Sequence, residues 1–148
     1  MMMDELIELR QCIEQGRYND ALLIIGEMDE MAKDDKIDKI GSYMVILLVH
    51  LIKQSAERRT TRSWELSIRN AVLNIQKTNK RRKSGGVYMN EDELRATLAE
   101  NIEIALNYAS QEAFEGAYTP KQLAAMINLH ALQEQALAYI LHGAPELP

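Results

Sequence analysis

The residues best suited to chemistry lie between His50 and Trp64. Arg58, Arg59 and Arg62 come just before or at the start of a predicted helix, close to the single tryptophan of the chain. The free backbone N–H groups of a helix N-terminus and guanidinium groups both favour phosphate or carboxylate groups. The three arginines are therefore a candidate anion-binding site. The structural alternative is that they pair with acidic side chains of an earlier helix.

His50 and Trp64 are candidates for a polar site in the core. His50 lies inside an apolar run, so it is a structural histidine, part of a ligand pocket, or a general acid or base. Trp64 at a helix start is most simply a core anchor whose indole N–H donates to a carbonyl. One Cys and three scattered His give no zinc spacing. We predict no metal, no cofactor and no recognisable set of catalytic residues.

Charge is distributed unevenly along the chain. Residues 1–56 hold six Lys/Arg and eleven Asp/Glu, residues 57–83 nine and two, and residues 84–148 two and nine. The basic middle segment either meets an external anion such as a nucleic-acid backbone or lies against the protein's own acidic helices. It has no interleaved aromatic residues on which single-stranded bases would stack. The candidate nucleic-acid contacts are Lys80, Arg81, Arg82 and Lys83.

Apolar periodicity predicts an all-α protein. Apolar residues recur at three- and four-residue steps, and no segment alternates with a period of two. A chain of 148 residues with 47% apolar residues fits one domain, residues 1–148. Residues 43–52 are apolar on almost every side, which is typical of a helix surrounded by others. We therefore predict a single-domain bundle of five to six helices around a central apolar helix at about residues 35–54.

Capping signals give the boundaries of the other helices. An N-cap residue with Glu or Gln three positions later marks a helix start, and proline is favoured at the first helical position. The predicted caps are Thr60, Thr61 or Ser63, then Asn90 with Glu93, then Thr119 with Pro120 and Gln122. A C-terminal helix over 119–142 follows from the last of these. Four adjacent cations and two glycines make residues 80–89 a predicted mobile basic loop.

The chain shows no secretory signal and no apolar run of membrane-spanning length. Its longest apolar stretch has ten residues, 43–52, and includes His50. Cys12 is the lone cysteine, so no disulfide can form within the chain. We predict a cytoplasmic protein that does not bind membranes.

Three motifs in the first half of the chain occur in a distinctive order. Met28-Asp-Glu-Met31 belongs to an acidic helix, His50-Leu-Ile-Lys53 closes the apolar helix, and Arg58-Arg59 precedes Ser63-Trp64. This order resembles the bacterial family catalogued as domain of unknown function 29. The similarity covers about residues 5–110. It implies a small all-helical protein, common in cyanobacteria and other photosynthetic bacteria, and it implies no mechanism.

The leading functional hypothesis is a non-catalytic module for protein interaction or self-assembly. Residues 43–52 and the alanine-rich C-terminal helix offer more apolar face than a small bundle always consumes. The first alternative is a nucleic-acid-associated or regulatory protein that uses the basic segment 57–83. The second is an uncharacterised enzyme acting through His50 or the arginine cluster.

Overall fold

The computed structural model describes residues 2–81 and 85–147. Six α-helices and no strand occupy this part of the chain, so the predicted all-α bundle is confirmed. The helices are α1 (Met2–Glu14), α2 (Tyr18–Glu57), α3 (Arg62–Asn79), α4 (Glu91–Glu112), α5 (Pro120–Ala125) and α6 (Leu129–His142). The chain divides into two compact units, residues 1–36 and 37–148. Each unit has its own cluster of buried apolar residues.

The acidic helix that contains Met28 and the central helix predicted from about residue 35 are one helix, α2, in the structure, so the predicted start at residue 35 is wrong. It runs without interruption for 40 residues. Asp34 and Asp35, which look like N-caps in the sequence, lie in its interior. An aspartate in a helix interior costs less than about 1 kcal/mol relative to alanine, and α2 contains no proline that would break it. The helix-forming residues on both sides therefore outweigh the capping preference of Asp34 and Asp35, and the helix continues through them.

The first unit is a helical hairpin of α1 and the start of α2. Gly16 joins the two helices with a φ of 74°, and the Arg17 N–H donates to the Cys12 carbonyl at 2.8 Å. This is the hydrogen bond of a Schellman-type helix end, which glycine favours because positive φ costs it nothing. The hairpin's buried residues are few: Cys12, Ala21 and Ile24, with Leu9 and Met28 packed against them.

The second unit is built around the C-terminal part of α2, as the sequence predicts. Six large side chains of this segment are fully buried: Ile40, Met44, Leu47, Leu48, Leu51 and Ile52. Helices α3, α4 and α6 and the short α5 supply the residues that surround them. The apolar stretch is thus covered within the unit except at Ile46, whose side chain is exposed.

The predicted helix over 119–142 is divided in two in the structure. Helix α5 ends at Ala125, and α6 begins after Asn128, whose side chain accepts from the Ala131 N–H at 3.0 Å. Asn128 is a good N-cap because its short side chain satisfies a free N–H of the first turn. The apolar stripe continues across this break, and for that reason the periodicity does not reveal it.

The connection between α3 and α4 is tied at both of its described ends. Asn79, the last residue of α3, is buried, and its side-chain amide donates to the Met89 carbonyl at 3.0 Å and accepts from the Met89 N–H at 2.8 Å. The Arg81 N–H donates to the Gly86 carbonyl at 3.1 Å. Hydrogen bonds therefore join described residues on the two sides of 82–84 within the predicted mobile loop, 80–89. Arg82 and Lys83 lie outside the described residues.

Candidate functional site

Trp64 occupies a defined position in the first turn of α3. Thr61 is the N-cap, and its hydroxyl accepts from the Trp64 N–H at 3.1 Å, so one of the three predicted caps is the one in use. The indole ring is largely buried. The connection before it is closed by the Gln54 side-chain amide, which donates to the Thr60 hydroxyl at 2.7 Å. These bonds fix where the end of α2 lies relative to Trp64.

Two cations lie against the Trp64 ring. Lys53 Nζ is 4.7 Å and Arg59 Cζ is 4.6 Å from the ring centroid. Both distances are within the range of cation–π attraction. Lys53 comes from the last turns of α2, and Arg59 follows a turn at Arg58, whose φ is 53°. The fold therefore brings the end of one sequence motif, Lys53, onto the aromatic residue of the next.

Carboxylates surround these cations. Glu57 Oε1 accepts from Arg59 Nε at 3.1 Å, and Glu112 Oε1 lies 3.7 Å from Lys53 Nζ. Together they line a surface groove of about 360 Å³, which we call the Trp64 groove. Its lining residues are Lys53, Glu57, Arg59, Trp64, Glu112, Phe114 and Glu115.

The backbone beside the groove is strained on two sides. Phe114 and Glu115 follow α4 with φ of 51° and 55°, and Arg58 stands between two lining residues with a φ of 53°. A residue other than glycine in this left-handed region costs roughly 1–2 kcal/mol. Such residues persist where the surrounding structure fixes them, and they cluster at functional sites. No other described residue except glycine has a positive φ.

The predicted site residues separate into those at the groove and those elsewhere. Arg59 and Trp64 meet in it. Arg58 and Arg62 are exposed and do not line it, and none of the ion pairs between described residues includes them. His50 Nδ1 is 2.8 Å from the Ile46 carbonyl of its own helix, so the ring donates there in the Nδ1–H tautomer.

The predicted nucleic-acid contacts lie at the α3–α4 connection. Lys80 is exposed and forms an isolated bridge with Val87. Arg81 Cζ lies 5.0 Å from the Tyr88 ring centroid, so an aromatic residue outside the basic run partners this cation. The other two predicted contacts fall outside the described residues.

Sequence reasoning missed Lys53 and Glu112. Lys53 is 93% buried, as its relative exposure is 7%. A signal was present, because Lys53 follows Val49 by four residues on the same helix and therefore points toward covered positions. Glu112 carried no signal, since its role depends on where the end of α4 lies.

Other kinds of site find no support in the described part of the chain. It holds no group of three or more His, Cys, Asp or Glu side chains placed to bind a metal ion. Over the same residues, no helix combines the length and apolarity that a membrane crossing requires.

Comparison with protein-family models gives a match. The family model described as "Domain of unknown function DUF29" matches residues 8–135. Comparison with curated proteins and with solved structures gives no match. The matched range includes the whole Trp64 groove and most of the hairpin.

Proposed function

Because the chain belongs to the family described as domain of unknown function DUF29, we propose its function from its surfaces: a protein-interaction module that self-associates through the N-terminal hairpin. The observation that carries the proposal is the number of large apolar side chains exposed there. Among the described side chains of residues 4–36, three are buried and more than twice as many large apolar ones are exposed. The exposed ones are Leu6, Ile7, Ile13, Tyr18, Leu22, Leu23, Ile25 and Met31.

Five of these residues form one face by their helical spacing. Tyr18, Leu22 and Ile25 stand at i, i+4 and i+7 on α2, and Leu6 and Ile13 are seven apart on α1. On both helices, these residues lie at positions that are rotated about the helix axis in the same direction from the residues that pack inside the hairpin. Because the two helices of a hairpin run antiparallel, the two sets point to the same side. We call these five residues the hairpin face.

A second copy of this chain is the partner that the hairpin face fits. Two hairpins packed face to face through a twofold axis form a four-helix bundle, with the same stripes on both sides of the interface. The spacing puts Asp4, Glu8, Asp20 and Glu27 on the opposite flank, so these carboxylates do not face each other in the dimer. A 36-residue unit with so small a core also needs additional packing to be stable.

The test is the mass of the full chain in solution, measured by light scattering after gel filtration. We expect two chains for the wild type and one for the double variant Leu22→Gln, Ile25→Gln. Because the dimer is symmetric, the double variant removes four apolar side chains from the interface, two from each chain. Each is about half exposed in the single chain, so the loss is about 0.8 kcal/mol per side chain and about 3 kcal/mol in all, which raises the dissociation constant roughly 100-fold.

The matched control is Leu73→Gln. Leu73 is 50% exposed on α3, comparable to Ile25 at 47%, but it lies outside the hairpin face. Its variant should keep the mass of two chains. A wild-type protein that stays at the mass of one chain at high micromolar concentration would contradict the proposal.

A second candidate function, nucleic-acid binding by segment 57–83, is favoured by one observation on α3. Arg62, Leu66, Arg69, Leu73 and Lys77 follow one another at three- and four-residue steps and form one stripe, which we call the basic face. None of the ion pairs between described residues includes its three cations. Cations spaced along a helix in this way suit contact with phosphates.

This candidate predicts binding that depends steeply on salt. A labelled duplex and a labelled single strand are titrated with the protein, and fluorescence anisotropy is followed at several salt concentrations. Neutralising Arg69 and Lys77 to glutamine should reduce the slope of log K against log salt by about 2 for duplex DNA. Lys121→Gln, on α5, is the control and should leave the slope unchanged. An unchanged slope in the double variant would exclude the basic face as the contact.

A further inference from the structure

We propose that the Trp64 groove binds a small oxyanion, a carboxylate or a phosphate, with Lys53 and Arg59 as its cationic ligands. This site shares no residue with the hairpin face and does not depend on the proposed self-association. These two cations have donors that their partners do not use, and the groove has the size of a small ligand.

Lys53 carries a buried charge whose donors are incompletely used. Its side chain is 8% exposed, and its ionic partner Glu112 Oε1 lies at 3.7 Å, beyond hydrogen-bond distance. Among the described residues, no side-chain hydrogen bond includes Lys53 Nζ, although an ammonium has three N–H donors. The Trp64 ring compensates part of the lost hydration. Lys53 is one of the residues that line the groove, where an oxyanion would accept from the remaining donors.

Arg59 offers a second set of donors at the same ring. Its Nε is used by Glu57, which leaves the terminal amino groups of the guanidinium. Both Arg59 and Lys53 are held within 4.7 Å of the Trp64 centroid by the backbone connections described above. The two cations are therefore already in place before an anion arrives, so binding requires little ordering of long side chains.

Glu112 is the group that an incoming anion would displace. Its side chain is 53% exposed, so it can turn toward water while an oxyanion takes its place beside Lys53. The exchange of one monovalent anion for another leaves the formal charge beside Lys53 unchanged. Glu57 and Glu115 also line the groove, and their charges repel extended polyanions. A volume of about 360 Å³ lies at the small end of ligand pockets, which favours a small ligand.

Trp64 gives a direct readout, because it is the only tryptophan in the chain. The full chain is titrated with inorganic phosphate and, separately, with acetate, each against sodium chloride at the same ionic strength. We expect a saturable change in Trp64 fluorescence with at least one of the two anions. Saturation with phosphate alone identifies a phosphate site, and saturation with acetate alone identifies a carboxylate site.

Two variants decide whether Lys53 is a ligand. Lys53→Met should weaken anion binding at least tenfold, whereas Lys121→Met, a change at an exposed lysine, should leave it unchanged. Glu112→Gln should strengthen binding severalfold, because it removes the competing carboxylate. A merely structural ion pair predicts the opposite, a less stable protein with no gain in affinity.

The proposal is overturned by either of two results. The first is a fluorescence change that is linear in every salt, chloride included. The second is a saturable change that persists in Lys53→Met with unaltered affinity. If Lys53→Met does not fold, Glu112→Gln decides, because unchanged or weaker binding in that variant overturns the proposal.

Discussion

Truncating Leu48 to alanine is expected to lower the free energy of unfolding by about 2–5 kcal/mol. Leu48 is fully buried in α2 and belongs to the cluster that α3, α4 and α6 enclose. The variant loses the transfer free energy of the removed methyl and methylene groups and leaves a cavity that rigid helices on several sides cannot close. The measurement is equilibrium unfolding in urea, followed by circular dichroism at 222 nm.

Ile46 supplies the matched control two residues away. Its side chain is 43% exposed on the same helix, so Ile46→Ala opens no cavity and also improves helix propensity. Its effect should stay within about 0.5 kcal/mol of zero. Similar losses in the two variants would show that the C-terminal part of α2 is not surrounded as described. The slope of the free energy against urea should be the same in both, which confirms that only stability has changed.

The buried position of the C-terminal part of α2 could be predicted because the apolar composition of this segment alone requires it. A segment apolar on every side has no orientation in which it can face water, so it must be enclosed whatever the topology. The continuity of α2 could not be predicted in the same way. Asp34 and Asp35 are equally suited to a helix start and to an exposed position within a helix, and the difference between these states is a few tenths of a kcal/mol per residue.

Local capping signals predicted helix starts better than periodicity predicted helix ends. Thr61, Asn90 and Thr119 each accept from the backbone N–H three residues later, as their sequence contexts indicate. These bonds join neighbours in the chain, so the sequence contains all the information they need. Asn128 was overlooked because the apolar stripe continues across it and the competing long helix has the same periodicity.

The residues of the Trp64 groove could be predicted from the sequence only in part. Trp64 and Arg59 were candidates from their residue types and their place near a helix start. Glu112 joins them only through packing, because 48 positions separate it from Trp64, the nearest lining residue before it. Partners brought together by long-range packing leave no local signal.

Replacing Asn79 with alanine is expected to cost about 2–4 kcal/mol, because the Met89 N–H and carbonyl lose their partners together. Met89 is buried, so water cannot replace the missing hydrogen bonds. The next residue, Asn90, is the N-cap of α4, and Asn79 therefore also fixes where α4 begins relative to α3. Urea unfolding measures the loss, and faster hydrogen exchange of the Met89 amide would locate it.

Two further variants test whether the loss of stability comes from the two hydrogen bonds to Met89 or from the substitution of an asparagine in α3. Asn79→Asp retains the oxygen that accepts from the Met89 N–H but places a second oxygen against the Met89 carbonyl, so it should also destabilise the protein. Asn74→Ala changes an exposed asparagine in the same helix and should alter stability by no more than about 0.5 kcal/mol. If Asn79→Ala behaved like Asn74→Ala, the two bonds to Met89 would contribute nothing net. We expect both substitutions of Asn79 to lower the free energy of unfolding more than Asn74→Ala does. Only the substitutions of Asn79 leave a buried backbone group of Met89 unpaired.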